Sequence, residues 1–163
     1  MNRRFFTFLA AAGLVACTIV TAPAQAASAA AEHPIIETQG SMSRAELEAC
    51  ALVNALRAER GLSPLEIDAS VSAGARVKSR DMKASGYFSH TSPGYGTPFQ
   101  MMKTLGISYR SAGENIAQGY STAQAVVSAW MRSQSHRELL LSSRYTTMGI
   151  GHADGYWTLW LIG

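Results

Sequence analysis

Between residues 43 and 61 the apolar positions recur on a helical period. Ala49, Leu52, Val53 and Leu56 fall at i, i+3, i+4 and i+7, the stripe that one helix face buries. Ser43 and Glu46 stand at the spacing of a capping box, where hydroxyl and carboxylate each satisfy a free backbone amide. Gly61 supplies a left-handed stop. The pattern predicts a first helix over about 44–60. A second follows Asp68 as N-cap and ends near Ser85 before Gly86, with Val71, Ala75 and Met82 on one face. Thr97-Pro98 predicts an N-cap and first-turn proline opening a short helix to Leu105. A further helix spans about 122–133, with Ala123, Val126, Val127 and Trp130 facing inward, and 135–141 adds a short one.

The remaining segments read differently. Tyr87 to Gly94 carries Pro93 and Gly94 and predicts a loop. Residues 107–120 read as extended chain interrupted by Gly113 and Gly119. Residues 147–151 and 156–162 flank Ala153-Asp154-Gly155, and Asp-Gly suits a tight hairpin. The second limb (Tyr156, Trp157, Leu159, Trp160, Leu161) is bulky on both alternating faces, as in a sheet between helical layers. Helices first, an extended segment between, and a hairpin last predict an α+β fold: a three-layer α-β-α sandwich around a mostly antiparallel sheet.

The N-terminus breaks the pattern. Arg3 and Arg4 precede the apolar run Phe5 to Val20, and Ala24-Gln25-Ala26 gives a small-x-small site. Residues 1–26 therefore read as an export signal cleaved after Ala26. The Arg-Arg-Phe-Phe start resembles a twin-arginine signal. Leu14-Val15-Ala16-Cys17 resembles a lipobox that would place a lipid on Cys17, a minority reading because Thr18-Ile19-Val20 after it is apolar. Residues 27–42 are an aperiodic lead-in containing His33, and residues 43–163 form one domain. The expected location is periplasmic or extracellular.

Processing changes the charge picture. The 163 residues carry 14 basic and 11 acidic side chains and a formal charge of +3. Loss of Arg3 and Arg4 leaves 12 basic residues against the same 11, so the pI near 9.1 overstates the basicity of the mature chain. No nucleic-acid partner is expected from that balance. Cys50 is then the remaining thiol, which excludes an internal disulfide. Its place in an apolar helix predicts a small buried hydrophobe.

Metal or acid–base chemistry needs converging imidazoles and carboxylates. His90 follows two aromatics in the Pro/Gly loop, His136 lies just past a helix end, and Glu114 sits in the extended segment. Two imidazoles and one carboxylate suit an open zinc site with water in the fourth position, although the spacing lacks a His-Glu-x-x-His. If 112–118 is a strand, Glu114 and Asn115 point to opposite faces: one would face a cleft and the other pin a loop. Asn54 and Arg57 lie away from the Leu52/Leu56 stripe and are expected to tie down a loop. Ser89 and Ser92 flank His90, but no Gly-x-Ser-x-Gly elbow supports a serine hydrolase. Tyr87, Phe88, Trp130 and Trp157 are expected in the core, and His152, before the hairpin turn, on the surface, with a rim position as the alternative.

An ordered series of motifs carries a resemblance. Asn54-Ala55-Leu56-Arg57-Ala58-Glu59-Arg60-Gly61-Leu62 is followed by Arg80-Asp81-Met82, then Gly86-Tyr87-Phe88-Ser89-His90-Thr91-Ser92-Pro93. Gly113-Glu114-Asn115-Ile116-Ala117 comes next, then Trp130-Met131-Arg132-Ser133, Ser135-His136-Arg137, Met148-Gly149-Ile150-Gly151 and Tyr156-Trp157-Thr158. Over about residues 45–163 the chain resembles the CAP superfamily (cysteine-rich secretory, antigen 5 and pathogenesis-related proteins) in its bacterial exported branch. The resemblance implies an α-β-α sandwich with a shallow His/Glu cleft that binds a divalent metal in several members. His90, Glu114 and His136 match the metal positions, with Asn115, Ser89, Asn54 and Arg57 as cleft and structural support. Two departures stand out: Ser133 replaces the second glutamate of the eukaryotic members, and Ser135 replaces the glycine the bacterial branch carries before the histidine.

Three functions compete. The favoured one is a monomeric, non-enzymatic module binding a lipid, sterol, glycan or protein, with Zn2+ or another divalent metal as an accessory and no catalytic residue. The second is a metal-assisted hydrolase with zinc on His90 and His136 and Glu114 as general base. The third is a structural protein of the cell envelope.

Overall fold

A computed structural model describes residues 41–163; the signal, the Cys17 lipobox and His33 lie outside the described residues. Helix α1 (Arg44–Ala58) opens with the expected capping box: Ser43 Oγ accepts from Glu46 N, and Glu46 Oε2 accepts from Ser43 N at 2.7 Å. Strand β1 (Glu66–Ile67) leads into α2 (Ala69–Ala84), capped by Asp68, and a loop reaches α3 (Pro98–Thr104), whose Thr97/Gln100 pair forms a second capping box. Strand β2 (Ala112–Gln118), α4 (Ala123–Arg132), α5 (Gln134–Leu140), β3 (Thr147–Ala153) and β4 (Tyr156–Ile162) complete the chain.

The four strands lie in the order β1-β3-β4-β2. β3 and β4 form the Asp154-Gly155 hairpin, both turn residues at positive φ as its two-residue geometry demands. β2 pairs antiparallel with β4, so the pairing is mostly antiparallel, and β1 adds one short parallel pair to β3. Alternation along β4 divides the core. Trp157, Leu159 and Leu161 meet Met148 and Ile150 of β3 and the apolar faces of α1 and α4. Trp160 points the other way, to Val71 and Ala75 of α2 and Met101 and Met102 of α3. The sheet thus lies between two helical layers, the α-β-α arrangement expected.

Helix α1 is rotated from the expected stripe. Its buried face is Glu46, Ala49, Cys50, Val53 and Arg57, while Leu52 and Leu56 are half-buried. Arg57 is 2% exposed because its guanidinium collects three carbonyls: Ser63 and the end of α5 at Leu140 and Ser142, each at 2.9 Å. Asn54 bonds both the N–H and the C=O of Leu65, pinning the loop after α1 as expected. His152 takes the rim alternative: it is half-buried and stacked on Trp157 at 4.0 Å.

Cys50 is fully buried, and burial with the nearby Glu46 charge pushes its thiol up to about 12. Alkylation of native protein between pH 7 and 9 is therefore expected to proceed only through opening of the fold, at a rate that tracks stability across denaturant; fast labelling of folded protein would refute this. The unfolded thiol titrates near 9, below the folded one, so its linkage lowers stability as pH rises from 9 to 12, by at most about 1.4 kcal/mol per pH unit.

Candidate functional site

The site forms at β2, the edge strand. Register places Glu114 opposite Trp160, on the face of the sheet covered by α2 and α3. Glu114 Oε2 accepts from Trp160 Nε1 at 2.7 Å, and Oε1 lies 2.7 Å from His90 Nδ1. Both carboxylate oxygens are therefore engaged. The Glu114 side chain is 2% exposed and that of His90 is 52% exposed, so the carboxylate sits behind the imidazole. With Nδ1 turned to the carboxylate, the ring presents Nε2 as its free edge.

Asn115, one residue on, points to the opposite face and donates to the His136 carbonyl at 3.0 Å. The alternation expected from sequence holds: Glu114 holds His90, and Asn115 ties down α5. Asn115 Oδ1 is buried without a hydrogen-bond partner among the described residues. His90 and His136 come from opposite helical layers at the open edge of β2, His90 on the loop beyond α2 and His136 on α5. Burial, with nearby His90 as the lesser cause, holds His136 below its usual pKa, so at neutral pH it is an uncharged ring.

Beside His136 a groove of about 290 Å³ runs along Ile116, Ala117 and Gln118 between Phe88 on one side and Ala129, Trp130 and Ser133 on the other. Two carbonyls of β2 are capped by side chains, Trp130 Nε1 donating to Ile116 O and Tyr145 Oη to Ala112 O, which blunts the edge against strand pairing. Phe88 is 47% exposed, against the expectation of a core residue. A rim phenylalanine at a groove is an apolar contact held ready. Ser133, where eukaryotic members carry a glutamate, lines this groove.

Lys78 was not singled out by sequence reasoning. It is fully buried under the His90 loop and donates to Tyr87 Oη at 3.0 Å, Ser89 O at 2.8 Å and His90 O at 3.0 Å. Tyr87 Oη donates on to Asp81, which also accepts from Ser92 Oγ. Burial pulls the Lys78 ammonium below its usual range, opposed by the charges of Glu114 and Asp81. The signal was present: Lys78 falls on the same α2 stripe as Val71, Ala75 and Met82, where a cation must find buried partners. Ser89 serves through its carbonyl and by accepting from Thr91 N; its hydroxyl is not aligned with His90 by any hydrogen bond.

Among the described residues no group of three or more His, Cys, Asp or Glu side chains is disposed to hold a metal ion. A divalent ion, were one bound, would draw on the two imidazoles alone. His90 Nε2, backed by a carboxylate in the manner of metal-ligating histidines, and the neutral His136 ring would hold it, with Glu114 behind His90. Such an ion would supply Lewis acidity beside the groove.

Comparison with known proteins agrees with this architecture. YkwD of Bacillus subtilis is 45% identical over 145 residues, covering 88% of this chain and 56% of YkwD; the chain thus spans about half of that relative. A solved extracellular protein containing an SCP domain from Bacillus anthracis superposes with TM-score 0.71 at 30% identity, over 76% of this chain and 44% of that one. An outer surface protein of Borrelia burgdorferi shares the fold with TM-score 0.63 at 24% identity, over 69% of this chain and 87% of its own. The profile of the Cysteine-rich secretory protein family matches residues 50–159, and the chain belongs to that family, the CAP proteins.

Proposed function

We propose that this CAP domain is an exported, non-enzymatic ligand-binding module that seats the apolar part of an amphipathic ligand in the β2-edge groove and its polar end at His90 and His136. The observation that carries the reading is the position of Glu114: with one oxygen on His90 and the other on Trp160, it orients an imidazole and has neither oxygen free as a general base. That weighs against the hydrolase reading. The groove, at the small end of ligand pockets, receives part of a ligand such as a lipid chain rather than a whole one. Export is supported by the N-terminal signal pattern and by relatives described as extracellular or outer-surface proteins.

Divalent metal binding is an accessory of this site. Titration of the mature chain with zinc is expected to give weak saturable binding that His90→Ala and His136→Ala abolish and Glu114→Gln weakens about tenfold, the effect of losing a carboxylate behind a ligating histidine. A medium-chain carboxylate, followed by tryptophan fluorescence, is expected to bind wild type and to be excluded by Ala129→Trp, which fills the groove. Turnover of peptide or ester substrates by the zinc-loaded protein, or carboxylate binding unchanged in Ala129→Trp, would overturn the proposal.

A further inference from the structure

A second cleft, of about 730 Å³, lies between the start of α1, the C-terminal half of α2 and the β3–β4 hairpin. None of its lining residues lines the β2-edge groove. Arg76, Arg80 and Lys83 enter it at i, i+4 and i+7 of α2, so three cations share one helix face. Two carboxylates reduce that charge unequally along the cleft. Glu46, fully buried, takes Arg76 at 2.8 and 2.7 Å, together with the His152 and Ser43 amides; burial pushes its carboxyl up, but these donors outweigh burial and hold it below its usual range. Lys83 pairs with Asp154 at the hairpin tip. Arg80 has no hydrogen bond or ion pair to any described residue and is exposed, which leaves one uncompensated cation at the centre of the stripe.

Two neutral donors stand beside it. His152 Nε2 accepts from Gly155 N at 3.0 Å, so the ring proton sits on Nδ1, which has no partner among the described residues. Burial holds His152 below its usual pKa, against the raising effect of Glu46, so it remains a neutral donor at neutral pH. Ser43 Oγ accepts from Glu46 N and keeps its O–H to give.

We propose that this cleft is an anion site for the phosphate group of a polar, phosphorylated ligand, with Arg80, Lys83, the His152 ring and Ser43 as the recognising groups. Donors from α1, α2 and the hairpin converge from several directions. That suits the several oxygens of a tetrahedral phosphate better than the two of a planar carboxylate. The volume far exceeds one phosphate, and the remainder accommodates a group of sugar size.

The test is a 1H–15N titration of the mature chain with inorganic phosphate at constant ionic strength, with acetate and glucose 6-phosphate as parallel probes. Saturable shifts at the His152 and Gly155 amides are expected with phosphate, with tighter binding of glucose 6-phosphate and no saturation by acetate. Arg80→Gln, an exposed change, is expected to weaken phosphate binding about tenfold. Linear shifts, an unchanged affinity in Arg80→Gln, or an equal response to acetate would each overturn the assignment. Glucose 6-phosphate binding no tighter than phosphate would remove the larger ligand from it.

Discussion

Gly151→Ala is expected to destabilise the domain by about 3 kcal/mol or more, at the upper end of what overpacking costs. The reason is the approach of α2 to β3. A Cβ at Gly151 would run into the backbone of Ala75 and Arg76, and one at Gly149 into that of Val71 and Ser72. Main chain cannot swing aside as a side chain does, so the helix would have to lift from the sheet. Lifting it would break the bonds from Ser79 Oγ to Gly151 O and Thr158 Oγ1 and loosen Trp160, which holds Glu114. Urea unfolding checks this: the midpoint should fall with little change in slope. Gly149→Ala should behave alike. Gly94→Ala, with nothing within 4 Å of its Cβ and an ordinary φ, should be close to neutral. Equal midpoints for Gly151→Ala and Gly94→Ala would show that close helix–sheet contact does not govern stability here.

The same two glycines show what could be read in advance. Met148-Gly149-Ile150-Gly151 reads as a strand with one apolar face, and its alternation is correct. That its blank face receives a helix backbone is a tertiary fact with no local signature. Capping chemistry was legible because it is local: Ser43/Glu46, Asp68 and Thr97 all cap as expected. Strand β1 was not, because two residues are too few for alternation and its pairing depends on a partner about eighty positions away. In α1 the apolar stripe misplaced the buried face, because Glu46 and Arg57 fill core positions through ionic and carbonyl partners that hydrophobicity cannot report. The opposed orientations of Glu114 and Asn115 follow from strand geometry alone. That His136 shares a groove with Phe88 of the His90 loop does not, because it requires β2 to be the edge of the sheet, and strand order is set by the long-range pairing of β4.

Lys78→Met is the other change expected to have a large effect, about 3–5 kcal/mol, the usual result of removing one partner from a buried ionic cluster. Methionine preserves the volume and the apolar stem, so the loss isolates the ammonium. Without it, the carbonyls of Ser89 and His90 lose their shared donor, and the Glu114 and Asp81 carboxylates lose a nearby cation. Asp81 still accepts from Tyr87 and Ser92, which ties the outer part of the loop to α2. The disturbance should therefore concentrate at residues 89–90, where Lys78 supplies the link. Two readings separate this positioning role from general destabilisation. In native buffer the His90 ring resonances should shift and broaden while those of His152, which lines the other cleft, stay unchanged. Zinc affinity should also fall in folded Lys78→Met, although neither imidazole is altered, because the ring that Glu114 backs no longer has a fixed backbone beneath it. Wild-type stability together with unchanged His90 resonances would mean that the loop is held by the Tyr87–Asp81–Ser92 bonds alone. The fixed point from which an exposed imidazole meets its ligand would then be the surface of α2 rather than the cation buried under the loop.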